Sequence, residues 1–271
     1  MTEPVSEIIL ERLFHLLRLR LGVIVSKNIS PRNCRRLEEY IKQRPGGWVS
    51  VFSEIEANKC SQDLIEIIDI FVVTHTYFFR ENVHFDFFKD TILPTLKDSN
   101  VREPRVWSAA CSSGEEAYSI LLTMLDFYGN DYWLLDAGVL ATDISRQALD
   151  RGINGVYGVD SMANIPDWLR KRWFAPNGDY SAIIDPQLRA EITFRWLNLV
   201  DPFPGFRRAF HVIFCRNVML YFDEATRSAV IKKLVQVLAP GGWLIMGQAE
   251  DSHAARQWLE PVSGTIYRKV S

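Results

Sequence analysis

Four short segments of this 271-residue chain concentrate side chains able to do chemistry. In the first, the small residues Ala109-Ala110-Cys111-Ser112-Ser113-Gly114 lead into two acids, Glu115 and Glu116, at the start of an expected helix. Small side chains admit a ligand close to the backbone, and a helix start offers free N–H donors. With a single glycine the segment is not a GxGxxG loop, and its carboxylates would repel a diphosphate while attracting an ammonium group. Acids at a helix start also serve simply as partners of the helix dipole, so this segment alone leaves both readings open. The second segment ends in Asp143, after the apolar run 138–142. A carboxylate at a strand end can accept hydrogen bonds from both ribose hydroxyls; a surface turn aspartate has the same signature.

The third segment, Phe214-Cys-Arg-Asn-Val-Met-Leu-Tyr-Phe222, sets Arg216 and Asn217 directly after an apolar strand and Tyr221 shortly beyond. The fourth, Thr74-His-Thr-Tyr-Phe-Phe-Arg-Glu81, flanks one arginine with aromatics. That pattern fits a guanidinium held rigidly beside a pocket, and equally a buried aromatic seam with a surface arginine. Together, the small-residue loop, a helix-start acid and a strand-end acid point to a nucleoside ligand without phosphates. S-adenosylmethionine, which carries ribose, adenine, an amino acid and a sulfonium, has that character. The turn Leu238-x-Pro-Gly-Gly-x-Leu244 fits the same class, or is only a helix stop.

The elements that must position these groups follow from periodicity. Strands are expected at 105–110, 138–142, 211–215, 243–246 and 265–268. Helices are expected at 115–128, after a Ser145 cap and ending at Gly152, and after an Asp223 cap up to Pro240-Gly-Gly. Strands alternating with helices imply a mostly parallel, doubly wound sheet, whose ligands lie beyond the carboxyl ends of the strands. That rule selects the segments 109–116, 141–144 and 214–221. Before the sheet, the pattern Ile8, Ile9, Leu13, Leu16, Leu17, a second helix around the basic cluster Arg32, Arg35, Arg36, Lys42 and Arg44, and a third over 62–73 make residues 1–95 a small helical domain. Residues 96–271 form the second domain. Within it, residues 153–197 are rich in aromatics, Pro, Gly and Asn without a strand–helix rhythm, and are expected to be an inserted subdomain.

Composition bounds the classes. With 48% hydrophobic and 24% charged residues the chain is an ordinary globular one, and no apolar run reaches the roughly 18–20 residues of a membrane span. Residues 1–10 carry Glu3 and Glu7 and no basic stretch, which disfavours a secretory signal and favours the cytoplasm. A net charge of −2 disfavours a nucleic-acid groove. The charge is uneven: nine Lys/Arg against five Asp/Glu in residues 1–50, four against nine in 51–100. Four scattered cysteines form no CxxC pair and five histidines no HExxH, so neither a disulfide framework nor a metal site is expected.

The segments containing Trp107 to Glu116, Ala141-Thr-Asp-Ile144, Phe214 to Phe222 and Tyr77-Phe-Phe-Arg-Glu81, in that family's order, resemble the CheR family of S-adenosylmethionine-dependent chemoreceptor methyltransferases. The resemblance spans nearly the whole chain. It implies a Rossmann-like class I methyltransferase α/β sheet, an all-helical N-terminal domain and an inserted small antiparallel β-subdomain. It implies that Glu116 binds the methionine end of the cofactor and Asp143 the ribose, with Ala110 and Ile144 beside them. Asn198, Leu199, Arg216 and Asn217 would line the adenosyl pocket, while Thr74, Thr76 and Arg80 would close it from the N-terminal side. Arg80 and Tyr221 would orient the acceptor. The family commonly carries Asn where this chain has Thr74, whose shorter reach bears on cofactor affinity or acceptor placement. The implied reaction methylates glutamates on the cytoplasmic domain of membrane chemoreceptors, with S-adenosylhomocysteine as product, by a monomer without membrane insertion, nucleic acid or metal. A cofactor-binding regulatory module, or a carboxyl methyltransferase outside chemotaxis, are the rival expectations.

Overall fold

The computed structural model describes residues 6–24, 29–58, 61–71, 76–250 and 253–270. Four helices come first: α1 (Glu7–Leu21), α2 (Pro31–Lys42), α3 (Gly47–Ala57) and α4 (Gln62–Phe71). Ser6 and Ser30 cap α1 and α2 through their hydroxyls, and Gly22 ends α1 in the left-handed conformation. Their apolar faces meet in a core of their own, built on Leu13, Leu17, Leu37, Val51, Ile55 and Ile67. The next helices, α5 (Val83–Phe87) and α6 (Leu93–Asp98), are joined by a π-helical turn, Phe88–Ile92. Phe85, Phe88, Ile92 and Leu93 share a core with the sheet, so the apolar cores divide between Ile70 and Phe78.

The α/β part runs β1 (Arg105–Ala109), α7 (Glu115–Tyr128), β2 (Gly138–Asp143) and α8 (Arg146–Asn154). Then follow β3 (Val156–Gly158), α9 (Asp167–Trp173), β4 (Phe174–Pro176), β5 (Ser181–Ile184), α10 (Pro186–Ala190) and β6 (Ile192–Trp196). It closes with β7 (Phe210–Cys215), α11 (Glu224–Val237), β8 (Leu238–Met246), β9 (Glu260–Ser263) and β10 (Ile266–Arg268). The main sheet has seven strands in the order β6-β2-β1-β7-β8-β10-β9, parallel from β6 to β8 and antiparallel around β10. Along β1 and β7, Val106, Val212 and Phe214 face one core, and Trp107, Ile213 and Cys215 face the other. Both faces are covered, as a parallel sheet requires.

Strands β3, β5 and β4 form a separate antiparallel sheet. The expected insertion of 153–197 is shorter than that, because Ile192–Trp196 pairs in parallel with β2 as the edge of the main sheet. Its alternating buried Ile192 and Phe194 are a strand signal masked by the irregular residues before it. The Ser145 and Asp223 caps form as expected. Helix α8 ends not at Gly152 but at Gly155, which takes φ +64°. Gly152 serves close packing instead: a Cβ there would lie 2.6 Å from the Phe194 ring.

Candidate active site

The sheet order reverses around β1, with β2 on one side and β7 on the other, and the loops leaving these strands open onto one cavity of about 730 Å³. Ala110 and Glu116 follow β1; Asp143 ends β2 and Ile144 follows it; Arg216, Asn217 and Tyr221 follow β7. Asn198 and Leu199, just beyond β6, and Thr76 and Arg80, from the segment before α5, complete the expected set on its lining. Thr74 lies outside the described residues. Sequence reasoning missed the contribution of the first four helices: Leu21, Ser30, Asn33, Ile68 and Phe71 also line the cavity.

The backbone around the cavity is shaped for the site. Of the six non-glycine residues with positive φ among the described residues, Phe79, Glu81, Ala110, Ser112 and Asn217 belong to the loops around it. Asp143 fixes the first loop by accepting the Ser112 N–H at 2.7 Å and, through its other oxygen, the Ser145 N–H at 2.9 Å. Burial raises the Asp143 carboxyl, and these two donors oppose that rise.

A charge cluster centred on the buried Arg216 forms part of the cavity wall. The Arg216 guanidinium reaches Glu116 at 3.1 Å and Glu81 at 3.1 Å, donates to the Arg80 carbonyl, and lies over the Phe85 ring. Glu116 also receives the Ser108 hydroxyl at 2.6 Å. Burial raises the Glu116 carboxyl, with Arg216 pulling the other way. Glu81 accepts the Asn217 side-chain amide at 3.0 Å and the Gln248 N–H at 3.0 Å. Burial would raise the Glu81 carboxyl, but these donors and Arg216 hold it below the usual range. His84 is pushed down to about 4 by burial and the Arg216 charge, so at neutral pH it adds no rival cation. Arg216 thus ties the Arg80 segment to the first loop as well as lining the cavity.

Asn198 spends its amide within the protein, donating to the Arg20 carbonyl and Asp201 and accepting the Val200 N–H. It fastens the end of α1 to the sheet. The Ile24 N–H donates to the Tyr221 carbonyl at 2.8 Å, a second tie across the same seam. Burial raises the Tyr221 phenol, and the nearby Arg80 charge opposes it. Two further acids receive no role from the sequence alone. Glu81 follows Arg80 directly, which was a usable signal; Glu250 stands in an irregular loop and had none.

A nucleoside–amino acid fits these walls. Carboxylates of Glu116 and Asp143 lie among apolar Ile68, Phe71, Ile144, Leu199 and Val218, and Ser112 Oγ at the lining is buried without a protein partner. The volume falls in the usual range of about 300–1,000 Å³ for small-molecule sites. Among the described residues no His/Cys/Asp/Glu group could hold a metal, and no helix is long and apolar enough to cross a membrane.

Numbered by chain order within the main sheet, the strands run 3-2-1-4-5-7-6, the arrangement of class I S-adenosylmethionine-dependent methyltransferases. Residues 74–268 match the CheR methyltransferase S-adenosylmethionine-binding domain, and the chain belongs to the CheR family. It is 36% identical to a chemotaxis protein methyltransferase of Borreliella burgdorferi over 79% of this chain and 77% of that one. It is 31% identical to chemotaxis protein methyltransferase 2 of Pseudomonas aeruginosa, over 95% of this chain and 90% of the relative. The chemotaxis protein methyltransferase of Escherichia coli is equally similar, at 31% over 95% and 90%. The protein is an S-adenosylmethionine-dependent methyltransferase.

Proposed function

We propose that the acceptor is a glutamate side chain on the cytoplasmic domain of a membrane chemoreceptor, methylated to its γ-ester by this protein acting as a cytoplasmic monomer. The observation that carries this reading is that Arg80 and Tyr221 line the same cavity as Glu116 and Asp143, so an acceptor carboxylate meets a cation and a phenol where the cofactor binds. The bound cofactor supplies an electrophilic methyl carbon, to which a carboxylate oxygen bonds as the carbon–sulfur bond breaks and the sulfur departs as a neutral thioether. A glutamate is ionised at neutral pH, so no general base is required.

The chain's own residues bind and align. Glu116 attracts the ammonium group of the amino-acid end, and Asp143 accepts the ribose hydroxyls. Arg80 draws the acceptor carboxylate into line, and Tyr221, its phenol kept protonated by burial, donates a hydrogen bond to it. Such positioning contributes up to about 7–11 kcal/mol to a two-reactant step. Within the helical domain Arg36 donates to the Asp69 backbone carbonyl and Arg44 pairs with the buried Asp63 carboxylate, leaving Arg32, Arg35 and Lys42 exposed on α2 toward an acidic receptor surface.

The test is incubation with methyl-labelled S-adenosylmethionine and membranes bearing the host's receptors. Base-labile label released as methanol from a receptor-sized band, and lost with Arg80→Ala, is the expected result. Cofactor binding without labelling of any receptor would overturn the choice of acceptor.

A further inference from the structure

The loop between β1 and α7 has an improbable backbone. Ala110, Ser112 and Gly114 take φ of +138°, +49° and +94°, three positive values within five residues. Such a shape persists only where its surroundings over-determine it. Most restraints come from the neighbouring strand or the loop itself: the Cys111 N–H donates to the Thr142 carbonyl, the Ser112 N–H to Asp143, and the Gly114 N–H to the Cys111 carbonyl.

One restraint comes from outside the main sheet. Tyr157, in β3 of the small inserted sheet, donates its hydroxyl to the Ser113 carbonyl at 2.6 Å. Its side chain is 4% exposed, with Phe78 edge-on at 5.0 Å between ring centroids and Tyr118 at 6.0 Å. A Cβ at Gly114 would lie 3.0 Å from the Tyr157 oxygen, so loop and hydroxyl are in close apposition. Burial pushes the phenol well above its usual range, which keeps the proton on the donor.

We propose that Tyr157 is a positioning residue for the cofactor, its hydroxyl holding residues 110–114 in the shape that brings Ala110, Ser112 and Glu116 to the cavity. The inference rests on the reading that this loop holds the cofactor. Removing the hydroxyl leaves the Ser113 carbonyl without its donor and lets the left-handed residues relax. The cost therefore falls on binding of the cofactor, not on the chemical step.

The experiment is calorimetric titration of Tyr157→Phe with S-adenosylhomocysteine, alongside melting curves and kinetics. Tyr118→Phe is a matched control, since the Tyr118 hydroxyl donates to the Gly152 carbonyl at 2.8 Å and is equally buried but holds no part of the loop. Glu116→Gln tests the site itself. The expected result is about tenfold weaker binding in Tyr157→Phe, a raised KM for S-adenosylmethionine with kcat nearly unchanged, and faster amide exchange in residues 110–116. Tyr118→Phe should melt lower with its affinity intact. Wild-type affinity in Tyr157→Phe with weakened Glu116→Gln would overturn the role of Tyr157 alone. Equal weakening in both tyrosine variants would reduce the bond to a general structural one and also overturn it. Wild-type affinity in Glu116→Gln would instead remove the assignment of the site.

Discussion

Glu250 accepts the backbone N–H of Asn217 at 2.7 Å, clamping a residue held at φ +58°. The same carboxylate oxygen accepts the Gly247 N–H at 2.9 Å, and the other accepts the Met219 N–H at 2.8 Å. One buried side chain thus takes three backbone donors of and beside the turn that presents Tyr221 to the cavity. Glu250→Ala strips three backbone donors of their acceptor, at about 1–3 kcal/mol for each that stays buried. It should lower the melting temperature and cut turnover more than tenfold. Glu250→Gln, with one carbonyl oxygen, should fall between this variant and the wild type when both are measured by melting and methyl transfer.

Arg216 is the sole arginine that bridges Glu81 and Glu116 among the described residues, and its side chain is 1% exposed. Its loss would leave two largely buried carboxylates, 15% and 11% exposed, without their cation. Arg216→Ala should cost about 3–5 kcal/mol in chemical denaturation. Arg216→Lys retains the charge but not the two-armed reach, and should recover part of that loss.

Gly114 combines φ +94° with neighbours on three sides: a Cβ would meet the Gly152 Cα and the Tyr157 hydroxyl at 3.0 Å and the Phe194 ring at 3.1 Å. Gly114→Ala should destabilise the fold by about 2 kcal/mol or more. Calorimetry should show the folded fraction binding S-adenosylhomocysteine more weakly than wild type, because the substitution moves the loop ahead of Glu116.

Glu115 is buried beside Ser113, and its carboxyl is pushed up to about 7 from 4.5 chiefly by burial, with the Ser113 hydroxyl opposing. Between these two values the folded chain holds a proton that the unfolded chain has released. This carboxyl therefore favours the folded state at the low end of the window, and that contribution is lost as pH rises through 7. Glu115→Gln, which cannot ionise, should flatten the fall in melting temperature between pH 5 and 8 and melt higher than wild type at pH 8. A fall as steep as that of the wild type would show that Glu115 does not titrate in this range.

Much of the site was legible in the sequence because its groups sit at the ends of strongly patterned strands. Residues 105–110, 138–142 and 211–215 read as buried strands, each within a residue of the observed bounds, and the rule that ligands bind beyond their carboxyl ends selects the segments holding Ala110, Asp143 and Arg216. The Ser145 and Asp223 caps were equally legible, since capping depends on residues three positions apart. By contrast, β6 was hidden: five residues with two buried positions resemble many loops, and only pairing with β2 makes them a sheet edge.

The sequence by itself determined the parallel sheet, the helical N-terminal region and the loop residues offered to a cofactor, because local periodicity and short motifs encode them. Tertiary structure alone decided that α2 and α4 contribute to the cavity wall, that Arg216 joins Glu81 to Glu116, and that Tyr157 and Glu250 hold the two loops in shape. The contacts of Arg216, Tyr157 and Glu250 across loops join residues from 31 to 135 positions apart. No repeat or spacing in the chain records such pairs; they exist only once burial of the apolar faces has fixed which loop ends meet.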